Sequence, residues 1–328
     1  MCNDKGDDMS ICLGCFKQVE GKVYCSACLR KMFNGRSPIL NLKKSEFQSV
    51  RYQMLDHFSI SGVQDKISLQ LSGKKLIPTA SKGEYILKPI PNADIEQLQA
   101  DIPANEHLTM QIAKQIFGIQ TAENALVRFS DGELAYITKR FDRKEGEKNR
   151  LEDFCQIGGI SPESNGPDFK YGSSYQAMRN IIVKHCAAAK IEIEKLFKLI
   201  LFNYIIGNGD AHLKNFSLIE TLNGDFILSP AYDLLNTNIH LPNESRMALD
   251  LFDNYESEYF TNNGFYGIDD FLRLSEFYGI KSIRTKKMIS EFSIKAEKVN
   301  KIISSSFLSP KGKEEYLAIF MDRLKAIK

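Results

Sequence analysis

The chain has 328 residues, 43% hydrophobic and 26% charged, with 10 Pro and 21 Gly; that composition excludes wholesale disorder and collagen-like or Pro-rich low complexity. The 43 basic and 41 acidic side chains leave a net charge of +2, so no global field points to nucleic acid or an anionic membrane. Length alone predicts about two domains, each able to bury a core. The most apolar run, 196–206, is about half of the ~20 residues a membrane span needs, and Lys198 and Asn203 interrupt it. The polar, acidic start has neither the basic end nor the apolar core of a secretory signal. The expectation is a cytoplasmic protein with reduced thiols and no membrane association.

In chain order, the first motif is Cys12-x2-Cys15-x9-Cys25-x2-Cys28, with Gly21 available for a turn between the pairs. Two CxxC pairs can converge four thiolates tetrahedrally on Zn²⁺, and four Cys ligands make a closed, structural site. So short a module, taken as 1–35, cannot fold on apolar burial, and metal would supply its folding energy. Disulfides or idle thiols are the alternative, and a reducing compartment disfavours the former. Cys2, Cys155 and Cys186 read as small apolar residues.

Residues 34–60 form a connector with a helix-like stretch. Alternation predicts strands at 66–71, 75–77 and 84–88, with Ser72-Gly73-Lys74 as a turn and Pro89 as a stop. Pro103 opens a predicted helix to Phe117, and Gly118 ends it. Strands at 125–129 and 134–139 flank an Asp131-Gly132 turn. From about 150 onward helical patterns dominate, at 174–189, 191–206, 269–278 and 285–305. The fold class is therefore α+β, with a small β-rich lobe at 36–140 and a larger, mainly helical lobe at 141–328. Charge is uneven late in the chain: 249–276 carries seven acids and one Arg, and 279–328 carries twelve basic and five acidic residues. Solvated helix faces account for that more simply than a docking surface.

The chemistry-bearing signal lies at 196–233. The 196–206 run is apolar nearly all round, which predicts a central buried helix. It breaks at Gly207-Asn208-Gly209-Asp210-Ala211-His212-Leu213-Lys214-Asn215-Phe216. Strands at 217–222 and 225–228 around Asn223-Gly224 form a predicted hairpin that runs into Ser229-Pro230-Ala231-Tyr232-Asp233. A hairpin returns the chain to its start, so Asp210, Asn215 and Asp233 should lie close together. Phosphoryl transfer needs that set: one Asp to orient the attacking hydroxyl and take its proton, an Asn carbonyl and a second Asp to hold Mg²⁺. Asp210 and Asn215 stand at the D-x4-N spacing of protein kinases. Lys214 could neutralise charge on the transferring group, and His212 could contact phosphate or pack. An Asn/Asp/Gly-rich turn with Asx caps is the bland alternative; the helix before it and the hairpin-plus-Asp after it weigh against that.

A nucleotide grip is expected from the small lobe. Lys88 ends a strand and can reach the α/β-phosphates of ATP, oriented by Glu106 in the following helix. The bland readings are a solvated strand-end Lys and a favourable helix N-terminal charge. The phosphate loop would be Ser59-Ile60-Ser61-Gly62-Val63-Gln64-Asp65-Lys66, which has a single Gly; no Walker A motif or complete GxGxxG is present. The lobes connect near Thr138-Lys139-Arg140-Phe141-Asp142, whose backbone could read adenine.

Over residues 55 to 310 the chain resembles the HipA family of bacterial toxin kinases. The resemblance rests on the order and spacing of Ser61-Gly62-Val63-Gln64-Asp65-Lys66, Tyr85-Ile86-Leu87-Lys88-Pro89, Asn105-Glu106, Lys139-Arg140-Phe141-Asp142-Arg143, Glu152-Asp153-Phe154-Cys155-Gln156, Lys170-Tyr171, the 209–216 loop and 229–233. It implies a two-lobed protein-kinase-like fold and an ATP- and Mg²⁺-dependent serine/threonine kinase. By position, it implies Asp210 as catalytic base, Asn215 and Asp233 as magnesium ligands, and Lys88 as the phosphate-binding lysine. Ser61, Gly62, Val63 and Gln64 would belong to the phosphate loop, Arg140 and Phe141 to the adenine hinge, and His212 would lie near the nucleotide. It further implies autophosphorylation of a phosphate-loop serine, Ser59 or Ser61, which expels the loop: about two added negative charges cannot share a pocket built for ATP phosphates. Family substrates include aminoacyl-tRNA synthetases, and inhibition comes from a helix-turn-helix antitoxin that contacts DNA.

This sequence departs from HipA in two respects. About 58 residues precede Ser59, and they hold the four-cysteine motif in place of HipA's extra subdomain. That is more like the short, HipT-like members, whose missing piece is a separate small protein. Lys139 stands where some members have an acid. The alternatives are a small-molecule kinase of aminoglycoside or lipid type, which shares the Asp/Asn/Asp machinery, and a non-catalytic protein that binds through its zinc module.

Overall fold

A computed structural model describes residues 9–55, 65–144 and 147–328. The chain opens with a two-stranded ribbon, β1 (Met9–Ile11) and β2 (Gln18–Glu20), followed by α1 (Ser26–Phe33) and, past a 3-10 turn, α2 (Phe47–Leu55). Next come β3 (Ile67–Ser72), β4 (Lys75–Pro78) and β5 (Tyr85–Lys88), then α3 (Ile102–Gln115), β6 (Asn124–Arg128) and β7 (Leu134–Lys139). These five strands form one antiparallel sheet in the order β4-β3-β5-β7-β6. Its register sets Ile67 opposite Leu87 and Lys88 opposite Tyr136.

Period-2 alternation gives the sheet two different faces. Ala135 and Ile137 join a core with Met32, Phe33 and Phe47, whereas Tyr136 between them joins the larger core with Leu108 and Ile112 of α3. Thus the N-terminal segment covers one face and α3 the other. Both sheet edges are occupied too. The Leu126 N–H on β6 donates to Leu13 O at 2.8 Å, and Leu126 O accepts from the Tyr24 hydroxyl at 2.6 Å. At the opposite edge Ile39 bridges to Lys75. Edge backbone groups left bare would invite pairing with other chains.

The second lobe begins with the short ribbon β8 (Arg143–Lys144) and β9 (Glu147–Lys148). β10 (Leu151–Asp153), α4 (Phe154–Gly158), α5 (Pro162–Asn165) and α6 (Tyr175–His185) follow. The apolar run becomes α7 (Ala189–Ile206), with Leu196, Phe197, Ile200, Leu201 and Phe202 fully buried. Its two polar interruptions are partnered: Lys198 Nζ reaches Phe117 O at 2.7 Å, and Asn203 Oδ1 accepts from Asn208 at 2.9 Å. The predicted hairpin forms as β11 (Ser217–Glu220) and β12 (Phe226–Leu228), with β10 on the outer side of β11. Its connection is wider than a two-residue turn, because Thr221 N–H already bonds Asp225 O.

α8 (Glu258–Asn263) and α9 (Ile268–Phe277) precede α10 (Ser282–Ile294), α11 (Ala296–Ser304) and α12 (Pro310–Ala326). The single helix expected at 285–305 is therefore two. Lys295 leaves helical geometry at ψ 3°, and its ammonium bonds Ile116 O at 2.6 Å. Lys198 and Lys295 together place cations at the carbonyl end of α3, where the helix dipole favours them. No helix among the described residues is long and apolar enough to cross a membrane.

α3 is buried on every side from Ile102 to Ala113. His107 lies within it, its Nδ1 2.8 Å from Asn124 Oδ1 and its ring 4.9 Å from Phe16. Burial pushes its pKa down to about 4. A histidine held neutral in the fold but free to protonate when unfolded, near pH 6.5, makes the unfolded chain bind more protons as pH falls. Stability is therefore complete above pH 6.5 and is lost as pH falls toward 4. We expect urea unfolding to give about 2 kcal/mol less stability at pH 5 than at pH 7.5 from this group; equal midpoints at the two pH values would contradict it.

Candidate active site

β5, α3 and the segment after β12 deliver three charged groups to one point. Lys88 Nζ donates to Glu106 Oε1 at 2.7 Å and also to Asp233 Oδ1. The side chains of Lys88 and Glu106 are 7% and 2% exposed, against 42% for Asp233, so the triad is closed at its root and open at its tip. Burial alone would depress the Lys88 ammonium; the neighbouring carboxylates of Asp233 and Glu106 outweigh it and hold Lys88 above the ordinary lysine range. Burial likewise opposes charge on Asp233, and Lys88 outweighs it, holding that carboxyl below the usual range. Asp233 itself sits at φ +53°, a left-handed conformation that few non-Gly residues adopt and that recurs at functional sites.

What holds Asp233 there is the chain before it. Ala231 exchanges backbone bonds with Gln120 and Ala122, in the segment following α3. The Tyr232 hydroxyl donates to Lys214 O at 2.8 Å and lies 2.5 Å from Ser217 Oγ. Neighbours of Asp233 and Asn215 are thus tied together directly, and Ser229 N–H closes the hairpin base on Ser217 O at 2.8 Å.

The loop with Asp210 begins at Gly207, φ +82°, where a Cβ would come within 2.7 Å of both Asn236 Oδ1 and Ile319 Cγ2. A Cβ at Gly209 would lie 2.5 Å from Ser245 O. Both glycines are there because another segment presses on the loop. The Gly209 N–H donates to Thr237 Oγ1 at 2.7 Å, and Asp210 N–H to Asn208 Oδ1 at 3.3 Å. Asn215 Oδ1 accepts from His212 N–H at 3.0 Å, which closes the loop on itself. His212 Nε2 lies 4.0 Å from Asp210 Oδ2. Burial lowers the His212 pKa, with the charges of Asp210 and Asp233 both opposing that shift.

Three other candidates have partners of their own. Lys214 Nζ donates to Asp153 Oδ2 at 2.9 Å. Arg140 forks onto Asp142 at 2.9 and 2.6 Å, and its backbone N–H is spent on Glu84 O at 2.8 Å, so an adenine contact from Arg140 is left to its carbonyl. The Phe141 ring lies 6.0 Å from that of Tyr232. Ser61, Gly62, Val63 and Gln64, and with them the candidate phosphoacceptor Ser59, lie outside the described residues. Two residues of the cleft had no individual role from sequence. Lys66 is depressed by burial and feels the charges of Asp233, Lys88, Glu106 and Lys214; its signal was its place at the end of the 59–66 stretch. The Tyr171 hydroxyl donates to Asp210 Oδ1 at 2.7 Å, and Lys170-Tyr171 was a motif without a function.

At the other end of the small lobe, the Sγ atoms of Cys12, Cys15, Cys25 and Cys28 all lie within 4.8 Å of one another. Cys15 and Cys25 are 3.7 Å apart, and tetrahedral thiolates at about 2.3 Å from Zn²⁺ sit about 3.8 Å apart. Hydrogen bonds from the Cys15 thiol and then the Cys28 thiol hold the Cys12 pKa far below the ordinary thiol range, and its Sγ also accepts from the N–H groups of Cys25 at 3.1 Å and Gly14 at 3.4 Å. Donors aimed at sulfur favour thiolate, the form that binds metal. The donor set fits zinc. The cluster is built into the lobe: Leu13 and Tyr24 hold the β6 edge, and Phe16 packs on α3 next to Glu106.

The model of the HipA-like C-terminal domain matches residues 58–302, three quarters of the chain. The chain belongs to the HipA family. This HipA-family chain is 31% identical over 296 residues to a Haemophilus influenzae protein named "Putative kinase", covering 85% of this chain and 83% of the relative. It is 28% identical over 214 residues to the serine/threonine-protein kinase toxin HipA of Shewanella oneidensis, covering 60% and 47% respectively; it thus spans about half the length of that relative. In structure it is similar to Shewanella oneidensis HipA, solved with HipB and operator DNA, with a TM-score of 0.62 at 23% identity over 83% of this chain and 65% of that one. It is also similar to the Helicobacter pylori proinflammatory kinase CtkA, with a TM-score of 0.51 at 17% identity over 74% and 87%. At those identities the likeness is one of fold. The fold is the expected two-lobed, protein-kinase-like α+β architecture, with the four-cysteine cluster at its N-terminal end.

Removing the cation from a buried ionic group leaves uncompensated charge, at a cost of about 3–5 kcal/mol. Lys88→Met should therefore lower unfolding stability by about 3 kcal/mol and abolish binding of a fluorescent ATP analogue. Urea denaturation and nucleotide titration measure the two; undiminished nucleotide binding would contradict the role.

Proposed function

We propose that this chain is an ATP- and Mg²⁺-dependent serine/threonine protein kinase of a toxin–antitoxin system. The observation that carries the reading is the Lys88–Glu106–Asp233 triad, open at its tip beside the Asp210–Asn215 loop. A buried ammonium with one carboxylate behind it and a second half-exposed suits a polyphosphate entering from the cleft. Lys88 binds the α/β-phosphates, oriented by Glu106. Asp210 orients the acceptor hydroxyl and takes its proton as the new O–P bond forms and the β,γ-bridging bond breaks, releasing ADP. Asn215 and Asp233 supply hard oxygen donors and would hold Mg²⁺. When bound, the ion supplies charge neutralisation at the phosphates. Lys66 and Lys214 add positive charge beside them, and His212 and the backbone of Arg140 and Phe141 complete the nucleotide site.

Transfer to Ser59 or Ser61 of the chain itself is part of the proposal, as is a protein acceptor of the translation machinery such as an aminoacyl-tRNA synthetase. A helix-turn-helix antitoxin would be the inhibitor and the route to DNA; support comes from the Shewanella HipA structure, solved with HipB and operator DNA. A separate small N-subdomain-like protein is a further candidate partner. The small-molecule alternative with a cationic substrate needs acid at the acceptor site. Beside Asp210 that acid is Glu244, whose carboxylate faces Gly209 and is held by Thr237 Oγ1; a second group of acids, Glu258, Asp269, Asp270 and Glu276, lines a cavity of about 700 Å³ formed by α8 and α9.

Two experiments test these readings. Incubated with γ-labelled ATP and Mg²⁺, the wild-type chain should label itself at Ser59 or Ser61, and Asp210→Ala should abolish this with an unchanged circular dichroism spectrum. Retained transfer would remove Asp210 as the base. For the cysteine cluster, elemental analysis should find stoichiometric zinc. Joint replacement Cys12→Ser and Cys25→Ser should remove it and lower the melting temperature by several degrees, because the cluster anchors the β6 edge; a metal-free wild-type protein would refute the site.

A further inference from the structure

Asp210 has one oxygen already engaged. The Tyr171 hydroxyl donates to its Oδ1 at 2.7 Å, while Oδ2 faces the His212 imidazole at 4.0 Å. The Tyr171 and His212 rings meet edge to face, with centroids 5.3 Å apart. Tyr171 ends a 3-10 turn, Phe169–Tyr171, whose own bonds to Asp168 O and from Ser173 N–H fix its backbone. Lys170 lies over its ring at 4.8 Å. The Asp210 side chain is half exposed, so packing surrounds its carboxylate only in part. A carboxylate has a broad, two-fold torsion, and a base must present one oxygen steadily to the acceptor hydroxyl. Among the described hydrogen bonds, the phenol is the side-chain donor aimed at this carboxylate.

We propose that Tyr171 is the positioning residue of the base. Its hydroxyl pins Oδ1 and leaves Oδ2, on the His212 side, to receive the acceptor proton. The proposal rests on Asp210 being the base of a kinase, so the test separates the two. Single-turnover transfer from γ-labelled ATP to the chain itself is measured for wild type and Tyr171→Phe, with ATP affinity followed by a fluorescent analogue and folding by thermal denaturation. Tyr171→Phe keeps the ring and its packing and removes the donor. The expected result is a transfer rate lower by on the order of tenfold with ATP affinity and melting temperature unchanged, because the hydroxyl acts through the carboxylate of the base and not through the nucleotide site.

An unchanged rate overturns the proposal. A faster rate overturns it as well, since it would make the phenol a plug in the acceptor position. A rate loss accompanied by weaker ATP binding or a lower melting temperature would reduce Tyr171 to a structural residue, and label on Tyr171 itself, read by mass spectrometry, would make it an acceptor. Absence of transfer in wild type strikes at the kinase reading itself, before Tyr171 is at issue.

Discussion

Everything in the cleft depends on one buried ammonium. Lys88 comes from the small sheet, Glu106 from the helix behind it and Asp233 from beyond the hairpin of the larger lobe. Desolvation makes each charge costly alone, and mutual attraction makes the three tolerable together. The arrangement therefore works as a constraint as well as an ion pair. β5, α3 and the 229–233 segment must keep their relative positions, or a charge is stranded in a low-dielectric interior. The left-handed backbone at Asp233 fits this picture: the local strain is held by Ala231 pairing with the segment after α3 and by Tyr232 bonding the Lys214 carbonyl.

α3 transmits that constraint through the molecule. One side of it lies against the sheet through Tyr136. Thr109 meets the Tyr316 hydroxyl of α12 at 2.8 Å, and Asn105 reaches Asn236 O at 2.8 Å. Phe16 of the cysteine-bearing segment packs on His107, the residue after Glu106. Metal in the cluster would therefore stiffen the surroundings of the helix that orients Lys88. In this chain the four-cysteine segment is part of the small lobe's core, with Cys12 and Leu13 buried alongside Phe33 and Leu69.

Local signals in the chain were legible where one residue type does one job. Patterning at 66–71 and 134–139 gave strands within a residue of those observed, and the all-round apolar run gave the buried α7. Less visible were features whose cause lies far away in sequence. The break at Lys295 comes from its bond to the end of α3. α12 went unmarked although Ser309-Pro310 is a good helix start; Asp101, far upstream, receives Ser309 N–H at 2.9 Å and its hydroxyl at 2.6 Å.

The candidate site divides along the same line. Spacing alone proposed Asp210, Asn215 and Asp233, because a hairpin is a short-range device that must return the chain to its origin. Two CxxC pairs proposed the cysteine cluster for the same reason: thiols a few residues apart need little help to converge. Lys66 was legible only as the last residue of the expected phosphate loop and Tyr171 only as half of a short motif, since a Lys at the start of a strand and a Tyr in a turn are ordinary until packing aims them. The pairing of Lys88 with both Glu106 and Asp233 belongs to the same class, joining positions up to 145 residues apart. Sequence by itself determined which side chains were available and which short segments would bend, pair or coil. The tertiary structure decided which of them share a low-dielectric space, because desolvation and charge depend on neighbours brought from anywhere in the chain.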